Sequence, residues 1–382
     1  GREVRRLPVG RGGARHVAWS ADGSRVAAVT DSRVVVWDAA TGRVLGPTRP
    51  GHEAIVHALA FAPDGTLYTG SDDHTVRGWD PAGRPGQVLR TSGWARGVAV
   101  SPDGGLVAGA DIGNDLLVWE AKTGRERFRL LGHGDIGGTR VVRFTPDGAR
   151  LVTWGDADEA VRVWDTRTGR LLAEHSTRPA DEKRDPDEVF RNGFRMDLLI
   201  HPAVSPDGTM FASAEKGTVR LIDPMTGGTR RTVDTGLEWA QRAAFSPDGK
   251  RLAVAGRGKG AETKLPDGRI RHSGATEYSV SVWDLASGKR SWTATTPLWM
   301  YSELAFTPDG ARLAAAGLDE KRPVVQLWDT ATGADAGRVP LPSRGWFFAF
   351  DRSGRRLAVS FSDTTVVVYD LATALIPPGG KP

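Results

Sequence analysis

Short apolar runs, often alternating with polar residues, recur along the whole chain and are separated by turn sequences. Two examples are Val56–Phe61 (VHALAF) and Arg251–Ala255 (RLAVA). Runs of this length, bounded by glycine, proline and aspartate, are typical of β-strands. The pattern therefore predicts an all-β protein built from many short strands.

A turn phrase, in which an apolar residue is followed by turn residues and a glycine, occurs eight times. Its copies are Trp19–Gly23, Phe61–Gly65, Val100–Gly104, Phe144–Gly148, Val204–Gly208, Phe245–Gly249, Phe306–Gly310 and Phe350–Gly354. In most copies the middle is Pro-Asp. Proline presets the second position of a type I turn and glycine tolerates the last, so each copy predicts a tight strand-to-strand turn.

A second phrase follows each turn phrase: an apolar strand that ends in an aromatic residue and an acid. Its copies are Val34–Asp38, Val76–Asp80, Leu116–Glu120, Val161–Asp165, Val219–Asp223, Val280–Asp284, Val325–Asp329 and Val366–Asp370. In the fifth copy Ile222 replaces the aromatic residue. With one strand before each turn and one after the next bend, each unit predicts a small sheet of four antiparallel strands.

The second unit carries the most complete set of motifs. It contains Gly51-His52, then Phe61–Gly65, Ser71–Asp73 and Trp79-Asp80, and in this order it resembles the WD40 repeat family. Most units run about 40–45 residues, the period of that family. The resemblance covers nearly the whole chain and implies a β-propeller, with blades arranged around a channel. We predict an eight-bladed ring; the alternative is seven blades, with the unit Val204–Asp223 left out.

The two ends of the chain complement each other. The last unit stops after Leu371–Ala374 without a fourth strand, and the chain begins with a strand-like GREVRRL. We expect residues 2–8 to form the outer strand of the last blade, which would close the ring without an unpaired edge. We expect one domain over residues 1–374 and a tail over 375–382. Because the first residue is Gly1, we also expect a processed product or part of a longer protein.

The WD40 resemblance also implies a buried hydrogen-bond chain of His, Ser or Thr, Asp and Trp within a blade. Two units carry all four residue types: His52, Thr69, Asp73 and Trp79 in the second, and His133, Thr153, Asp158 and Trp164 in the fourth. We assign these residues a structural role. The remaining blades are expected to depend on apolar packing between neighbours.

Two segments are longer than the repeat requires, at about 176–197 and 256–277. In a WD40 propeller such connections lie on one face, so both are expected to emerge on that face as functional loops or as solvated, flexible ones. The second segment is basic, and its candidate binding residues are Arg257, Lys259, Arg269 and Arg271. Residues 265–270 suggest the tip of a hairpin.

Arginine and tryptophan collect around the start of the first strands, near the expected channel mouth. The candidate partner-binding residues are Arg15, His57, Arg96, Arg140, Trp94, Trp239, Trp299 and Trp346. These residue types are typical of protein-recognition hot spots. In the alternative interpretation, the tryptophans fill space left by missing Gly-His motifs.

The composition sets limits on the function. The chain has 382 residues, 39% hydrophobic and 25% charged residues, a net charge of +5 and no cysteine. The absence of cysteine excludes disulfides, thiol nucleophiles and cysteine zinc sites. The eight histidines show no metal-binding spacing. No apolar run reaches the roughly 18 residues of a membrane helix. We therefore predict no metal and no cofactor.

Our functional hypothesis is a non-catalytic interaction module, cytoplasmic and monomeric. It binds a protein or peptide over the face that carries the two long segments and the channel-mouth arginines and tryptophans. The chain also resembles propeller domains of bacterial modular signalling proteins. One alternative is an acidic or phosphate-bearing ligand, including nucleic acid, bound by the basic residues; such nucleic-acid binding would weaken steeply with salt. The other alternative, a propeller enzyme, lacks convergent acids in the sequence.

Overall fold

The fold is described from a computed structural model. The described residues are 3–10, 13–45, 51–113, 115–133, 139–155, 158, 160–176, 203–215, 217–258, 262–264, 270–272, 278–319, 322–343 and 345–377. Their strands form eight small antiparallel sheets in a propeller arrangement, here called blades I to VIII. This result confirms the predicted all-β, eight-bladed architecture, and the unit with Ile222 forms a blade like the others.

The first half of the chain forms blades I to IV. Blade I contains β2 (His16–Trp19), β3 (Arg25–Val29) and β4 (Val34–Asp38). Blade II contains β5 (Val56–Phe61), β6 (Leu67–Ser71), β7 (Thr75–Trp79) and β8 (Pro85–Arg90). Blade III contains β9 (Ala95–Val100), β10 (Leu106–Asp111), β11 (Asp115–Glu120) and β12 (Glu126–Leu131). Blade IV contains β13 (Thr139–Phe144), β14 (Arg150–Gly155), β15 (Ala160–Asp165) and β16 (Leu171–Ser176).

The second half forms blades V to VIII. Blade V contains β17 (Ala203–Val204), β18 (Phe211–Glu215), β19 (Thr218–Ile222) and β20 (Thr229–Asp234). Blade VI contains β21 (Leu237–Phe245), β22 (Arg251–Gly258), β25 (Tyr278–Asp284) and β26 (Arg290–Thr296), with a hairpin of β23 (Glu262–Lys264) and β24 (Ile270–His272) between β22 and β25. Blade VII contains β27 (Leu298–Phe306), β28 (Arg312–Asp319), β29 (Arg322–Asp329) and β30 (Asp335–Pro340). Blade VIII contains β31 (Gly345–Phe350), β32 (Arg356–Phe361) and β33 (Thr365–Asp370), which is followed by helix α1 (Leu371–Ala374).

The chain start completes the last blade. Strand β1 (Glu3–Pro8) pairs antiparallel with β33, so blade VIII has four strands and the predicted closure is confirmed. Leu7, Trp37 and Val368 are buried in one cluster that joins blade VIII to blade I. In blade I, Val44 bridges to Trp37 in the position of a fourth strand.

The first strands of neighbouring blades contact one another around the inside of the ring. These contacts run through β2, β5, β9 and β13 and through β17, β21, β27 and β31, and β31 returns to β2. Each blade therefore places its first strand innermost and its fourth strand outermost. Because the strands are antiparallel, the connections from fourth to first strands and from second to third strands lie on one face, here called the rim face.

The turn phrase forms the expected tight turn on the opposite face, as blade VI illustrates. The Gly249 N–H donates to the Ser246 carbonyl oxygen at 2.8 Å, and Gly249 has a φ of 68°. The Ser246 hydroxyl donates to Asp248 at 2.6 Å and accepts from the Arg251 N–H at 2.9 Å. The side chains thus satisfy backbone groups that the turn leaves free, which stabilises the turn between β21 and β22.

Side chains of several outer strands tie their blade to the bend of the following blade. Gln87 Nε2 donates to the Lys122 carbonyl oxygen at 2.9 Å, and Trp292 Nε1 donates to that of Thr330 at 2.8 Å. Arg5 Nη2 makes the same kind of contact across the closure, at 2.7 Å from the Ala40 carbonyl oxygen. The blades are therefore joined by hydrogen bonds at the outer edge as well as by apolar packing nearer the centre.

The two predicted insertions differ in how much of them the structure describes. Strands β23 and β24 pair antiparallel, so a hairpin flanks the predicted tip, whose residues 265–269 lie outside the described residues. All but the first residue of the segment 176–197 also lies outside them. Among the described residues, no helix is long and apolar enough to cross a membrane.

Candidate partner-binding face

Three of the predicted basic residues lie together on the rim face of blades I to III. Arg15 precedes β2, and His57 and Arg96 are the second residues of β5 and β9. Strand β5 contacts both β2 and β9. The inner position of the first strands thus brings side chains from three repeat units to one part of the channel mouth.

Two aspartates that the sequence interpretation missed lie among these basic residues. Arg15 Nη2 is 3.2 Å from Asp31 Oδ1. His57 Nε2 is 2.9 Å from Asp72 Oδ2, and Arg96 Nε is 3.6 Å from Asp72 Oδ1. A signal was present in the sequence, because an aspartate ends or follows the second strand in each of the first three units.

The charged groups around His57 change its pKa in opposite directions. Burial lowers the pKa of His57, contact with Asp72 acts in the opposite direction, and the positive charges of Arg96 and Arg15 lower the pKa further. The net pKa lies below the ordinary value, so His57 is mainly neutral at pH 7. Asp72 therefore acts chiefly as the counterion of Arg96.

Trp94 supplies an apolar surface beside these charges. It is 41% exposed, one of the few large hydrophobic side chains that reach solvent among the described residues. The Arg96 guanidinium carbon lies 5.2 Å from the centre of the Trp94 ring, within cation–π distance. We call Arg15, Asp31, His57, Asp72, Trp94 and Arg96 the rim patch.

The tryptophans do not all have the same environment. Trp94 is too exposed to fill a gap in the core, whereas Trp239 is half-buried at the rim end of β21. Leu237 and Leu298, at the starts of β21 and β27, are buried at 3% and 1% exposure. For blades VI and VII, leucine side chains therefore occupy the apolar space beside the preceding blade.

Of the remaining predicted binding residues outside the rim patch, the structure describes the charge environment of Arg257. Arg257 Nη2 pairs with Glu238 Oε2 at 2.7 Å, so its charge is neutralised within blade VI. Lys259 and Arg269 lie outside the described residues, and so do the side chains of Arg140, Arg271, Trp299 and Trp346. The structure thus brings Arg15, His57, Trp94 and Arg96 together and places Arg257 with a partner of its own.

The residues assigned to a buried network in blade II form a continuous chain of hydrogen bonds. His52 Nε2 lies 2.8 Å from Thr69 Oγ1, and Trp79 Nε1 donates to the same oxygen at 2.8 Å. His52 Nδ1 lies 2.9 Å from Asp73 Oδ2, which also accepts from the Glu53 N–H. Burial lowers the pKa of His52 despite Asp73, which keeps the ring neutral.

Blade IV repeats this chain with one addition. His133 bonds to Thr153 Oγ1 at 2.9 Å and to Asp158 Oδ1 at 3.0 Å, and Trp164 Nε1 donates to Thr153 at 3.1 Å. Arg162 Nη1 also lies 2.9 Å from Asp158 Oδ2. The imidazoles of His52 and His133 are inaccessible to solvent, so both networks stabilise blades and offer no reactive surface.

Sequence interpretation also missed three charged residues on the inner strands: Arg143, Arg242 and Glu303. Arg242 Nε donates across the blade boundary to the Ser302 carbonyl oxygen at 3.3 Å. Burial raises the pKa of Glu303 to about 7, although the charges of Arg242 and Arg143 act against this rise. Burial is thus the main cause of the raised pKa, and the two arginine charges reduce it.

Comparison with known proteins agrees with this architecture. Residues 1–38 and 44–80 match the family model described as WD domain, G-beta repeat, and this confirms the WD40 resemblance over those residues. The crystal structure of the computationally designed Ika8 protein matches 97% of this chain and 100% of its own, with a TM-score of 0.71 and 20% identity. At that identity the likeness shows the fold alone.

Curated relatives match parts of the chain. "Protein tipD" of Dictyostelium discoideum is 26% identical over 275 residues, which is 63% of this chain and 41% of the relative. "Autophagy-related protein 16" of Arabidopsis thaliana is 25% identical over 271 residues, 62% of this chain and 49% of the relative. "Centriole proteome protein 16" of Chlamydomonas reinhardtii is 36% identical over 165 residues, 42% of this chain and 7% of the relative. The chain thus spans less than half the length of these relatives.

Proposed function

We propose that this WD40 propeller is a non-catalytic interaction module, cytoplasmic and monomeric, that binds a protein or peptide on its rim patch. The observation that supports this proposal most directly is the exposed Trp94 ring beside Arg96, next to paired charges from three blades. Tryptophan and arginine provide large contact areas and directed hydrogen bonds, and such pairs dominate protein interfaces. The WD40 matches support a scaffold role in general terms.

The charge balance of the rim patch favours a protein partner over a nucleic acid. Arg15 and Arg96 each have an aspartate partner, and Arg257 has Glu238. A nucleic-acid site requires several cations free to neutralise phosphates, with an affinity that falls steeply as salt rises. A rim patch with both charge signs instead fits a partner that carries both signs itself.

The experiment is a quantitative pull-down from a lysate of the source organism with Trp94→Ala, Arg96→Glu and the double variant. Each single change should reduce partner recovery several-fold, and the double variant should abolish it. Arg84→Glu is the matched control, since Arg84 also pairs with an aspartate and is exposed, but lies in the bend of blade II on the opposite face. Equal recovery by the double variant and the control would reject the rim patch.

A second experiment distinguishes a protein partner from an acidic or phosphate-bearing ligand such as nucleic acid. Binding of a labelled single-stranded oligonucleotide would be measured at 50 and 300 mM NaCl. We expect no saturable binding at either salt concentration, because the rim arginines are paired. Tight binding that weakens steeply with salt would favour the nucleic-acid alternative.

The kind of protein to which the propeller belongs, its oligomeric state and its location are also proposals. The curated relatives described above are eukaryotic, and the prediction of a bacterial modular signalling protein gains no support from them. That prediction, the monomeric state and the cytoplasmic location remain proposals. Purified protein analysed by light scattering tests the monomeric state directly.

A further inference from the structure

The position before the apolar residue of the turn phrase is nearly invariant along the chain. Seven of the eight units have alanine there: Ala18, Ala60, Ala99, Ala203, Ala244, Ala305 and Ala349. The fourth unit has Arg143 instead. A long charged side chain at a position that otherwise requires a methyl group indicates a local purpose different from packing.

The strand geometry directs Arg143 toward blade V. In blade III, a Cβ added at Gly97 would lie 2.9 Å from Val142 of blade IV, so that position faces the following blade. Gly97 lies three residues before Val100, the first residue of its turn phrase. Arg143 lies one residue before Phe144, the first residue of the turn phrase in blade IV. Aligned on the turn phrases, the two positions are therefore two residues apart. Residues two apart in a strand share a face. Arg143 therefore projects into the boundary between blades IV and V.

This boundary contains a cavity of about 300 Å³. The residues that line it are Arg143, Phe144, Thr145 and Val152 of blade IV and Val204, Ser205, Pro206 and Gly208 of blade V. The volume lies at the lower end of the range for small-molecule sites. Because the turn residues form part of its wall, the cavity lies toward the face opposite the rim patch.

Arg143 is the lining side chain with free hydrogen-bond donors. The Thr145 hydroxyl donates to Asp147 at 2.5 Å, and the Ser205 hydroxyl donates to Asp207 at 2.5 Å. Both hydroxyls are thus committed to their turns. Among the described residues, Arg143 forms no hydrogen bond or ion pair, and its exposed side chain lines the cavity.

A guanidinium that lines a cavity and has no hydrogen-bonded or ion-pair partner among the described residues favours binding of an anion. Burial lowers the pKa of Arg143, and the only charge that opposes this effect is that of Glu303. An anion placed against the guanidinium would replace lost hydration with two charge-assisted hydrogen bonds. The single positive charge of Arg143 suits a monoanion, since a phosphate dianion would keep one negative charge without a partner at this site.

We propose that the cavity between blades IV and V binds a small monocarboxylate, held by its carboxylate on Arg143. Phe144, Val204 and Pro206 line the cavity beside Arg143 and would contact the rest of the ligand. The site is separate from the rim patch and independent of the protein-binding function proposed above. It makes blades IV and V a second ligand-binding part of the ring, distinct from blades I to III.

The test uses the purified full chain and benzoate as the probe, followed by isothermal titration calorimetry and ligand-observed NMR. A ligand of this size should bind with a Kd on the order of 1 mM. Arg143→Ala should weaken binding at least tenfold. That variant has the alanine of the other seven units, so its thermal unfolding should not fall below that of the wild type.

Matched controls define the outcome. Arg129→Ala removes an exposed, paired arginine from blade III and should leave the Kd for benzoate unchanged. Benzamide, which has the same shape without the charge, and phenyl phosphate should both bind at least fivefold less tightly than benzoate. If Arg143→Ala unfolds, Arg143→Gln takes its place. The proposal is overturned if the wild type does not bind benzoate, if the Arg143 variant binds it equally, or if either analogue binds as tightly.

Discussion

Blades II and V have the same four strands but different interiors. In blade II the buried ring nitrogens of His52 and Trp79 meet at Thr69 Oγ1. By strand register, Ile222 occupies the position of Trp79 in blade V, and Ser213 occupies that of Thr69. Ile222 is 1% exposed, so the interior of blade V is filled by an aliphatic side chain.

The difference shows that the His–Thr–Asp–Trp network is not what makes a blade. Backbone pairing, the turn phrase and the apolar boundary between blades are present in both. In blades I, III, VI, VII and VIII the position of Thr69 is Ala28, Gly109, Val254, Ala315 and Val359, respectively. The network therefore adds local stability to blades II and IV within a fold that other interactions already define.

Replacing the buried side chain at the end of the third strand should give the largest difference in unfolding free energy between blades II and V. Trp79→Ala removes a large buried ring and leaves Thr69 without its donor, and should cost about 4–5 kcal/mol. Ile222→Ala should cost about 2–3 kcal/mol, since only aliphatic packing is lost. The free energy of unfolding would be measured by urea titration followed by circular dichroism. Equal costs would show that the network adds nothing to blade II.

A smaller substitution isolates the hydrogen bonds. Thr69→Val keeps the shape but removes the hydroxyl that bonds to His52 and Trp79, and should cost about 2–3 kcal/mol. Ser213→Val in blade V is the matched control, with an expected change within about 0.5 kcal/mol. Hydrogen exchange by mass spectrometry should show faster exchange over residues 51–80 in the first variant alone. Similar exchange in both variants would contradict the comparison.

Glu303 is a buried polar group outside the His–Thr–Asp–Trp networks, and it should lower stability where those networks raise it. Its pKa is raised from 4.5 to about 7, mainly by burial. Between these values the folded state retains a proton that the unfolded state has lost, so wild-type stability decreases as pH rises through this interval and then levels off. Glu303→Gln lacks this loss and should be more stable than the wild type by about 1–2 kcal/mol at pH 8.

The measurement is a pair of urea titrations of Glu303→Gln and wild type at pH 4.5, 6 and 8. The difference in unfolding free energy should be near zero at pH 4.5 and reach its full size above pH 7. Thr69→Val serves as the control, because it leaves Glu303 in place and burial lowers the pKa of His52, so that ring is mainly neutral between pH 7 and 8. A difference for Glu303→Gln that does not change with pH would show that folding does not raise the pKa of Glu303.

Much of the fold followed from local patterns. Turn phrases such as Phe245–Gly249 specify a strand end and a strand start within a few residues, and their number gave the number of blades. The networks at His52 and His133 could be assigned because the resemblance fixes four residue types at set positions. The closing strand β1 could be recognised because it continues the pattern that stops at Ala374.

The candidate site was less accessible from the sequence. Arg15, His57 and Arg96 could be placed on one rim by alignment of the units, but their aspartate partners could not be chosen that way. Whether Arg257 is free or paired with Glu238 depends on a cross-strand contact in blade VI. Such pairings depend on rotamers and distances of a few ångströms, which the repeat pattern does not specify.

The sequence by itself determined the repeat, the turn chemistry, the eight blades and the strand that closes the ring. Each of these depends on residues close together in the chain or on the periodic recurrence of one pattern. Only the tertiary structure decided which charges neutralise one another on the rim and that the boundary at Arg143 contains a cavity. Those features arise where side chains of different blades meet, so their outcome depends on the relative position of elements that are distant in sequence.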